Sequence, residues 1–151
     1  MSTQTSYLIN HPKAYAGMVF AQAPHDIVSR DAEGEIAFGV AVSRGTDKDR
    51  QTVKGGTSFT GISIRSLERE GSVYADKETV GVLRDGYVWI TCPSGCNPGD
   101  LVKYVNATGV IDSGAPAIGE TALDGAQWDT TAVAGELAVL RLNSLNTTAG
   151  A

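Results

Sequence analysis

The sequence is poor in the side chains that most often build catalytic or metal sites. Its 151 residues include only two histidines and two cysteines, and aromatic residues make up 7%. A structural zinc site needs about four Cys or His ligands, and His11 and His25 are neither paired at metal spacing nor close in sequence to the cysteines. No G-x-S-x-G motif, which marks a hydrolase nucleophile, is present. We therefore expect no metal, no cofactor and no enzymatic activity.

The sequence also lacks a basic stretch and a long apolar stretch. Its 12 Lys and Arg residues are scattered singly and are outnumbered by 17 Asp and Glu residues, which gives a net charge of −5. Direct nucleic-acid binding needs clustered positive charge and is not expected. The longest early apolar run is Met18–Ala21, whereas a membrane helix needs about 20 apolar residues. We expect neither a secretory signal nor a membrane span.

Cys92 and Cys96 flank Pro93-Ser94-Gly95, a segment that is expected to turn. A disulfide here needs a Cα separation of about 4.4–6.8 Å, and closing so short a loop constrains the unfolded chain less than closing a long one. We favour two free thiols over a disulfide, which suits a protein made in a reducing cytoplasm.

The sequence is rich in glycine, with 18 residues, and in short runs that alternate with a period of two. Ile36–Val42 and Phe59–Arg65 alternate in this way, which predicts one strand each. Gln127–Ala132 and Glu136–Leu142 are predicted to form a closing pair of strands near the end of the chain.

Turn residues between these runs predict two hairpins. Asp85-Gly86 suits a type I′ turn between strands over 79–84 and 87–91; if one strand runs through instead, Gly86 marks a bulge. The Asn97–Asp100 segment predicts a sharp corner. After it, Leu101–Val105 and Gly109–Asp112 are predicted to pair.

The remaining polar or small-residue segments predict turns and loops. Pro24–Arg30 is interpreted as a turn or one short helical turn, while Arg44–Gly56 and Ser113–Gly125 are interpreted as loops. The sum is about eight short strands and no long helix. We predict an all-β domain, a small sandwich, a barrel, or a barrel with an added sheet. We divide the chain into an extended N-terminal arm (1–20), a β-rich domain (21–143) and a flexible tail (144–151).

Six segments, read in order over nearly the whole chain, resemble the structural cement proteins of tailed phages. Each motif is weak alone, and their order and spacing carry the resemblance. The Cys92–Cys96 corner departs from it, because a turn without thiols is expected there. The segments are AYAGMVFAQAPHDIVSR (14–30), IAFGVAV (36–42), FTGISIR (59–65), VGVLRDGYVWI (80–90), PGDLVKYVNATG (98–109) and the closing W…GELAVLRLN.

The resemblance implies a β-rich structural protein on the outer surface of a phage head, made in the host cytoplasm before assembly. Its implied partners are the major capsid protein, whose neighbouring subunits it would clamp against internal DNA pressure, and further copies of itself. Such proteins commonly act as homotrimers at threefold and quasi-threefold positions. The alternative is a head-fibre base or a β module that binds host-surface glycans.

Six side chains are candidate contacts with the capsid or with a second copy. Three bulky residues, Tyr7, Leu8 and Ile9, are adjacent in the arm, and such residues are uncommon in a tail that is fully exposed to solvent. Such an arm can add a strand to a sheet edge, as an alternative to a disordered terminus. Tyr15, Trp89 and Trp128 are further candidates, since Trp and Tyr dominate binding hot spots, although core filling is the more common role of a tryptophan.

Overall fold

The computed structural model of the protein describes residues 14–20, 24–46, 51–67 and 71–143, together with the backbone of 147–149. In these ranges the regular structure is strand without helix, so the predicted all-β fold is confirmed. The strands are β1 (Asp26–Ala32), β2 (Ile36–Ala37), β3 (Ala41–Arg44), β4 (Gln51–Lys54), β5 (Phe59–Ser63), β6 (Val73–Tyr74), β7 (Thr79–Cys92), β8 (Val102–Val105), β9 (Ile111–Ser113), β10 (Glu120–Leu123), β11 (Ala126–Trp128), β12 (Glu136–Leu142) and β13 (Thr147–Ala149).

Five of these strands close into a small barrel. Their order is β1-β4-β3-β5-β7, and β7 pairs back to β1. The β1–β4 contact is parallel and the other four are antiparallel. Ala32, Val42, Val80 and Val82 belong to one buried cluster of this region, which Tyr74 of β6 also joins. Among the predicted architectures, the structure is a barrel with added sheets.

The long strand β7 joins the barrel to the rest of the molecule. Its first half pairs with β1 and β5, and residues 86–92 pair with β12, which in turn pairs with β11. The predicted Asp85-Gly86 hairpin is therefore wrong and the alternative of a continuous strand is confirmed, but the bulge that was predicted at Gly86 lies at Arg84 instead. The register against β1 shifts at Arg84, and Gly86 has a φ of 133°. A Cβ at Gly86 would lie 2.9 Å from the Cβ of His25, so the close approach of the β1 entry excludes a side chain.

A second sheet has the strand order β13-β10-β8-β9. It shares a large buried cluster with the second half of β7, β11 and β12, including Ile90, Tyr104, Trp128 and Leu140. Antiparallel pairing of β8 with β9 and of β11 with β12 confirms the second predicted hairpin and the closing pair. The Asn97–Asp100 corner is also present, with the Asp100 N–H donating to the Asn97 carbonyl at 3.1 Å.

The single strand predicted over 36–42 is divided in two. Gly39, with a φ of 72°, turns the chain between β2 and β3. Both faces of this segment are covered, because Phe38, Val40, Ala41 and Val42 are all buried. The alternation of large and small residues therefore did not distinguish a core face from an exposed face. A turn through a buried position needs a residue without a side chain, and a Cβ on Gly39 would lie 2.8 Å from the Gly17 nitrogen.

Several polar segments that were predicted to be turns or loops contain strands. The Pro24–Arg30 segment enters β1, the Arg44–Gly56 segment contains β4, and the Ser113–Gly125 segment contains β10. Residues 147–149 of the predicted tail form β13 on the edge of β10. These additions raise the strand number above the predicted eight. Each of these strands is short and is held by backbone hydrogen bonds to its neighbours, which polar side chains do not prevent. A pattern of alternating hydrophobic residues therefore does not identify such strands.

Candidate binding surface

Residues 14–20 of the predicted arm are part of the folded body. Gly17 and Phe20 donate backbone hydrogen bonds to the carbonyls of Trp89 and Tyr87 at 2.8 and 3.0 Å, and Trp89 donates to Met18 at 2.9 Å. Ala14 is 4% exposed. This segment therefore runs along the edge of β7 opposite β12. The predicted arm therefore does not include residues 14–20, and its remaining part, residues 1–13, lies outside the described residues.

The two tryptophans have different environments. Trp128 is 1% exposed inside the large core, and its indole N–H has no hydrogen-bond partner among the described residues. This location favours core filling over a contact role for Trp128. Trp89 is partly exposed on the opposite face of β7 from the buried Val88 and Ile90. Its indole is accessible to a partner.

Trp89 lines a groove that we call the aromatic groove. The groove has a volume of about 520 Å³ and is lined by Phe20, Pro24, Tyr87, Trp89, Asp129, Thr130 and Val139. Alternation along β7 places Tyr87 and Trp89 on the same outward face. The Phe20 ring centroid lies 6.4 Å from each of their rings, with interplanar angles of 51° and 46°. Val139, directly opposite Trp89 in the β7–β12 pair, is 3% exposed and forms the floor.

One side of the groove is polar and held in place by β12. The Asp129 N–H donates to the Val139 carbonyl at 2.8 Å, and the Val139 N–H donates to Thr130 Oγ1 at 3.0 Å. These bonds fix the backbone after β11 against β12. The carboxylate of Asp129 is exposed and accepts no hydrogen bond and forms no ion pair with the described part of the chain.

Tyr15 is the most exposed of the described candidate contacts, at 49%. The guanidinium carbon of Arg65 lies 4.2 Å from its ring centroid, a cation–π contact that orients the ring. Tyr15 does not line the aromatic groove. Tyr7, Leu8 and Ile9 lie outside the described residues. The structure thus brings Trp89 together with Tyr87 and Phe20, and leaves Tyr15 as a separate surface.

Cys92 and Cys96 are both free and buried, which confirms the predicted free thiols. Burial raises the pKa of the Cys92 thiol and raises the pKa of the Cys96 thiol to about 11. A thiolate is the reactive form of cysteine, so both side chains act as small apolar core residues at neutral pH. Cys92 Sγ donates to Asp112 at 3.5 Å, and Cys96 Sγ donates to the Thr130 carbonyl at 3.5 Å.

Asp112 holds the turn between the two cysteines to β9. Its carboxylate accepts the Ser94 hydroxyl at 2.7 Å and the N–H groups of Ser94 and Ser113 at 3.1 and 2.8 Å. Burial alone would raise the pKa of Asp112, but these hydrogen bonds to the ionised form outweigh burial and hold the pKa below its ordinary value. The corner is therefore a hydrogen-bonded structural joint.

The described residues contain no group of three or more His, Cys, Asp and Glu side chains placed to hold a metal ion. No helix in this part of the chain has the length and apolar character needed to cross a membrane. The lining of the aromatic groove contains one carboxylate, that of Asp129, two hydroxyl groups, those of Tyr87 and Thr130, and no His, Cys or Lys. The lining thus offers aromatic faces beside one carboxylate.

The sequence indicated only part of the groove. The i, i+2 spacing of Tyr87 and Trp89 identified a shared strand face. Phe20 reaches that face from a segment 67 residues earlier in the chain, and Val139 and Asp129 reach it through the pairing of β12 with β7 and β11. No local pattern links these residues, since only the sheet topology brings them together.

Comparison with known proteins gives one family and solved structures that share the fold. Residues 3–143 match the family model described as structural cement protein (E217 gp24/Pam3 gp6). No curated protein matches the sequence. A chain in the capsid of Myoviridae phage XM1 has a TM-score of 0.76 and 18% identity, with 97% of this chain and 100% of that chain covered. The base of the head fibre protein gp8.5 of bacteriophage phi29 has a TM-score of 0.52 and 9% identity, with coverages of 83% and 98%.

Proposed function

Because the chain belongs to the structural cement protein family of phages, we propose that it binds the outer surface of an assembled head and clamps neighbouring major capsid subunits. The match over residues 3–143 is the observation that carries this proposal. The chain adds no chemistry to the head in this role. It acts as a structural ligand of the capsid, after synthesis in the host cytoplasm.

The physical reason for a clamp is that a head filled with DNA fails when its subunits separate. A ligand that binds only the closed, expanded lattice lowers the free energy of that lattice and leaves the separated subunits unchanged. The chain suits this role because β7 runs unbroken from the barrel to the aromatic groove. A contact at the groove is therefore tied to a closed sheet rather than to a loose loop.

We further propose that the protein acts as a homotrimer at threefold and quasi-threefold positions of the head. Three copies that bind together gain avidity, because each later contact forms at the high effective concentration set by the first. Residues 1–13, with Tyr7, Leu8 and Ile9, act as the contact arm in this proposal. Tyr15 and Trp89 are further contacts on the body.

The decisive experiment mixes the purified protein with expanded heads from its phage, stripped of cement protein, and with unexpanded shells. We expect co-sedimentation with expanded heads, weaker binding to unexpanded shells, and a higher temperature of DNA release from the decorated heads. Analytical ultracentrifugation of the free protein tests the homotrimer. Absence of binding to the stripped heads, or binding with no gain in their thermal resistance, would contradict the clamp.

A further inference from the structure

Three features of the aromatic groove indicate the kind of ligand that it can bind. Its walls are the rings of Phe20, Tyr87 and Trp89, and the Phe20 ring is inclined to the other two rather than stacked on them. Its rim carries the carboxylate of Asp129, which has no partner among the described residues. Its lining contains no positive charge; Arg141, which lies opposite Tyr87 on β12, lines a separate cavity. The electron-rich faces of the rings and the carboxylate both attract a cation.

We propose that the groove receives a cationic side chain, an arginine in particular, from the outer surface of the major capsid protein. The choice of the capsid as the source rests on the proposed function. The choice of a cation rests on charge complementarity, since the groove carries a single carboxylate on a chain of net charge −5. Arginine fits better than lysine because its planar guanidinium stacks on aromatic faces and pairs with a carboxylate at the same time.

The shape of the groove supports a long side chain with a charged end. The aliphatic stem of an arginine packs on the floor at Val139 and against the Phe20 ring, while the guanidinium lies between the outer rings and Asp129. A volume of about 520 Å³ leaves room for the residues beside the arginine. The β7–β12 pairing holds Trp89 and Val139 before the ligand arrives, so little order is lost when it binds.

The first test uses a small probe and needs no capsid. N-acetyl-L-arginine amide is titrated into the labelled protein while the two indole N–H signals are followed by NMR. We expect the Trp89 signal to shift and the Trp128 signal, from the buried core, to stay in place. The shift should weaken at 500 mM NaCl, because the Asp129 contribution is exposed to screening.

Two control probes decide between ligand classes. N-acetyl-L-leucine amide offers apolar contact without charge, and methyl α-glucoside offers a sugar face for stacking. We expect neither to shift Trp89 at the concentration that works for arginine. An equal shift with the leucine probe would contradict the proposal that the ligand is a cation. A shift with the glucoside alone would indicate that the groove binds a saccharide.

The second test measures binding to stripped heads with matched variants. Trp89→Leu removes the largest ring and keeps apolar bulk, and should weaken binding about 5- to 30-fold for a cation–π contact that becomes partly desolvated. Asp129→Asn should weaken it about 2- to 5-fold, as for an exposed ion pair, and should make binding less sensitive to salt. Asp31→Asn, which removes an exposed carboxylate of β1 outside the groove, is the control and should bind as the wild type does. Unchanged melting temperatures show that the variants are folded.

The two tests separate this inference from the proposed function. If wild-type protein binds heads and both groove variants bind equally well, the groove is not the capsid contact and the clamp stands. If the arginine probe shifts Trp89 but wild-type protein does not bind heads, the clamp fails, and with it the capsid as the source of the cation. Loss of affinity for heads in both groove variants but not in Asp31→Asn supports both the clamp and the binding of a capsid cation in the groove.

Discussion

Replacing Gly17 with alanine tests how tightly residues 14–20 are held against the body. Gly17 has a φ of 80°, and a Cβ there would lie 2.8 Å from the Arg65 nitrogen and 2.9 Å from the Gly39 nitrogen. The left-handed backbone costs a residue with a Cβ about 1–2 kcal/mol, and overpacking against fixed atoms costs about 1–3 kcal/mol more. The expected loss of unfolding free energy is therefore about 2–5 kcal/mol.

Gly34 provides a matched control. Its φ is 81°, but a Cβ at Gly34 would have nothing within 4 Å. Gly34→Ala should thus show the backbone term alone, about 1–2 kcal/mol. The difference between the two variants, about 1–3 kcal/mol, measures the close approach of Gly17 to Gly39 and Arg65.

The assay is urea denaturation of the wild type and both variants, followed by tryptophan emission. A red shift of the native emission of Gly17→Ala would mean that residues 14–20 detach locally and expose Trp89, which limits the global loss. Gly39→Ala, whose Cβ would lie 2.8 Å from the Gly17 nitrogen, should add less than its full loss to Gly17→Ala. Its own left-handed backbone cost, about 1–2 kcal/mol, adds, whereas the packing cost of the contact between the two glycines is not counted twice. Equal losses for Gly17→Ala and Gly34→Ala, with native emission unchanged, would refute the reasoning.

Three further predictions concern the thiols, Asp112 and the arm. Cys92 and Cys96 should not react with Ellman's reagent at pH 8 until the protein unfolds, because burial raises both pKa values; rapid labelling of folded protein would contradict their burial. The lowered pKa of Asp112 means that its ionised form is stabilised by folding. That stabilisation is present above the ordinary aspartate pKa and is lost as the pH falls through the lower folded value. The difference in melting temperature between wild type and Asp112→Asn should therefore be largest at pH 7 and should narrow as the pH falls below the ordinary aspartate pKa; a difference that stays constant would show that the ionised carboxylate does not stabilise the fold. Deleting residues 1–13 should leave the melting temperature unchanged and weaken head binding, whereas deleting 1–16 should also lower the melting temperature by removing the buried Ala14 and the ring beside Arg65; full head binding without residues 1–13 would make the arm passive.

The elements predicted correctly are those whose signals are local. The Asn97–Asp100 corner and the pairing of β8 with β9 follow from turn residues between apolar runs, and the β11–β12 pair follows from alternation. Strand β4 was missed because its sequence, QTVK, is polar and its place is set by partners distant in the chain. The Asp85-Gly86 turn was overridden because residues 86–92 gain a full partner in β12, which a local hairpin would have excluded.

The candidate contacts show the same division between local and tertiary signals. Trp89 and Trp128 both lie on predicted strands, and the sequence did not show which of them is buried. In the structure Trp128 lies in the core and Trp89 lies at the surface. The face of β7 that carries Trp89 was predictable from alternation. The position of the Asp129 carboxylate beside Trp89 was not predictable, because it depends on the pairing of β12 with both β7 and β11.

The continuity of β7 has a mechanical consequence. In the proposed role, a capsid subunit that pulled on the aromatic groove along the strand direction would load the pairing of residues 86–92 with β12 in shear, so that seven paired positions would resist together rather than one after another. At its other end β7 belongs to a closed ring of strands, which has no free edge from which to peel. In that role, tension between capsid subunits would pass through the backbone of one strand into the barrel, where it is shared among the paired strands.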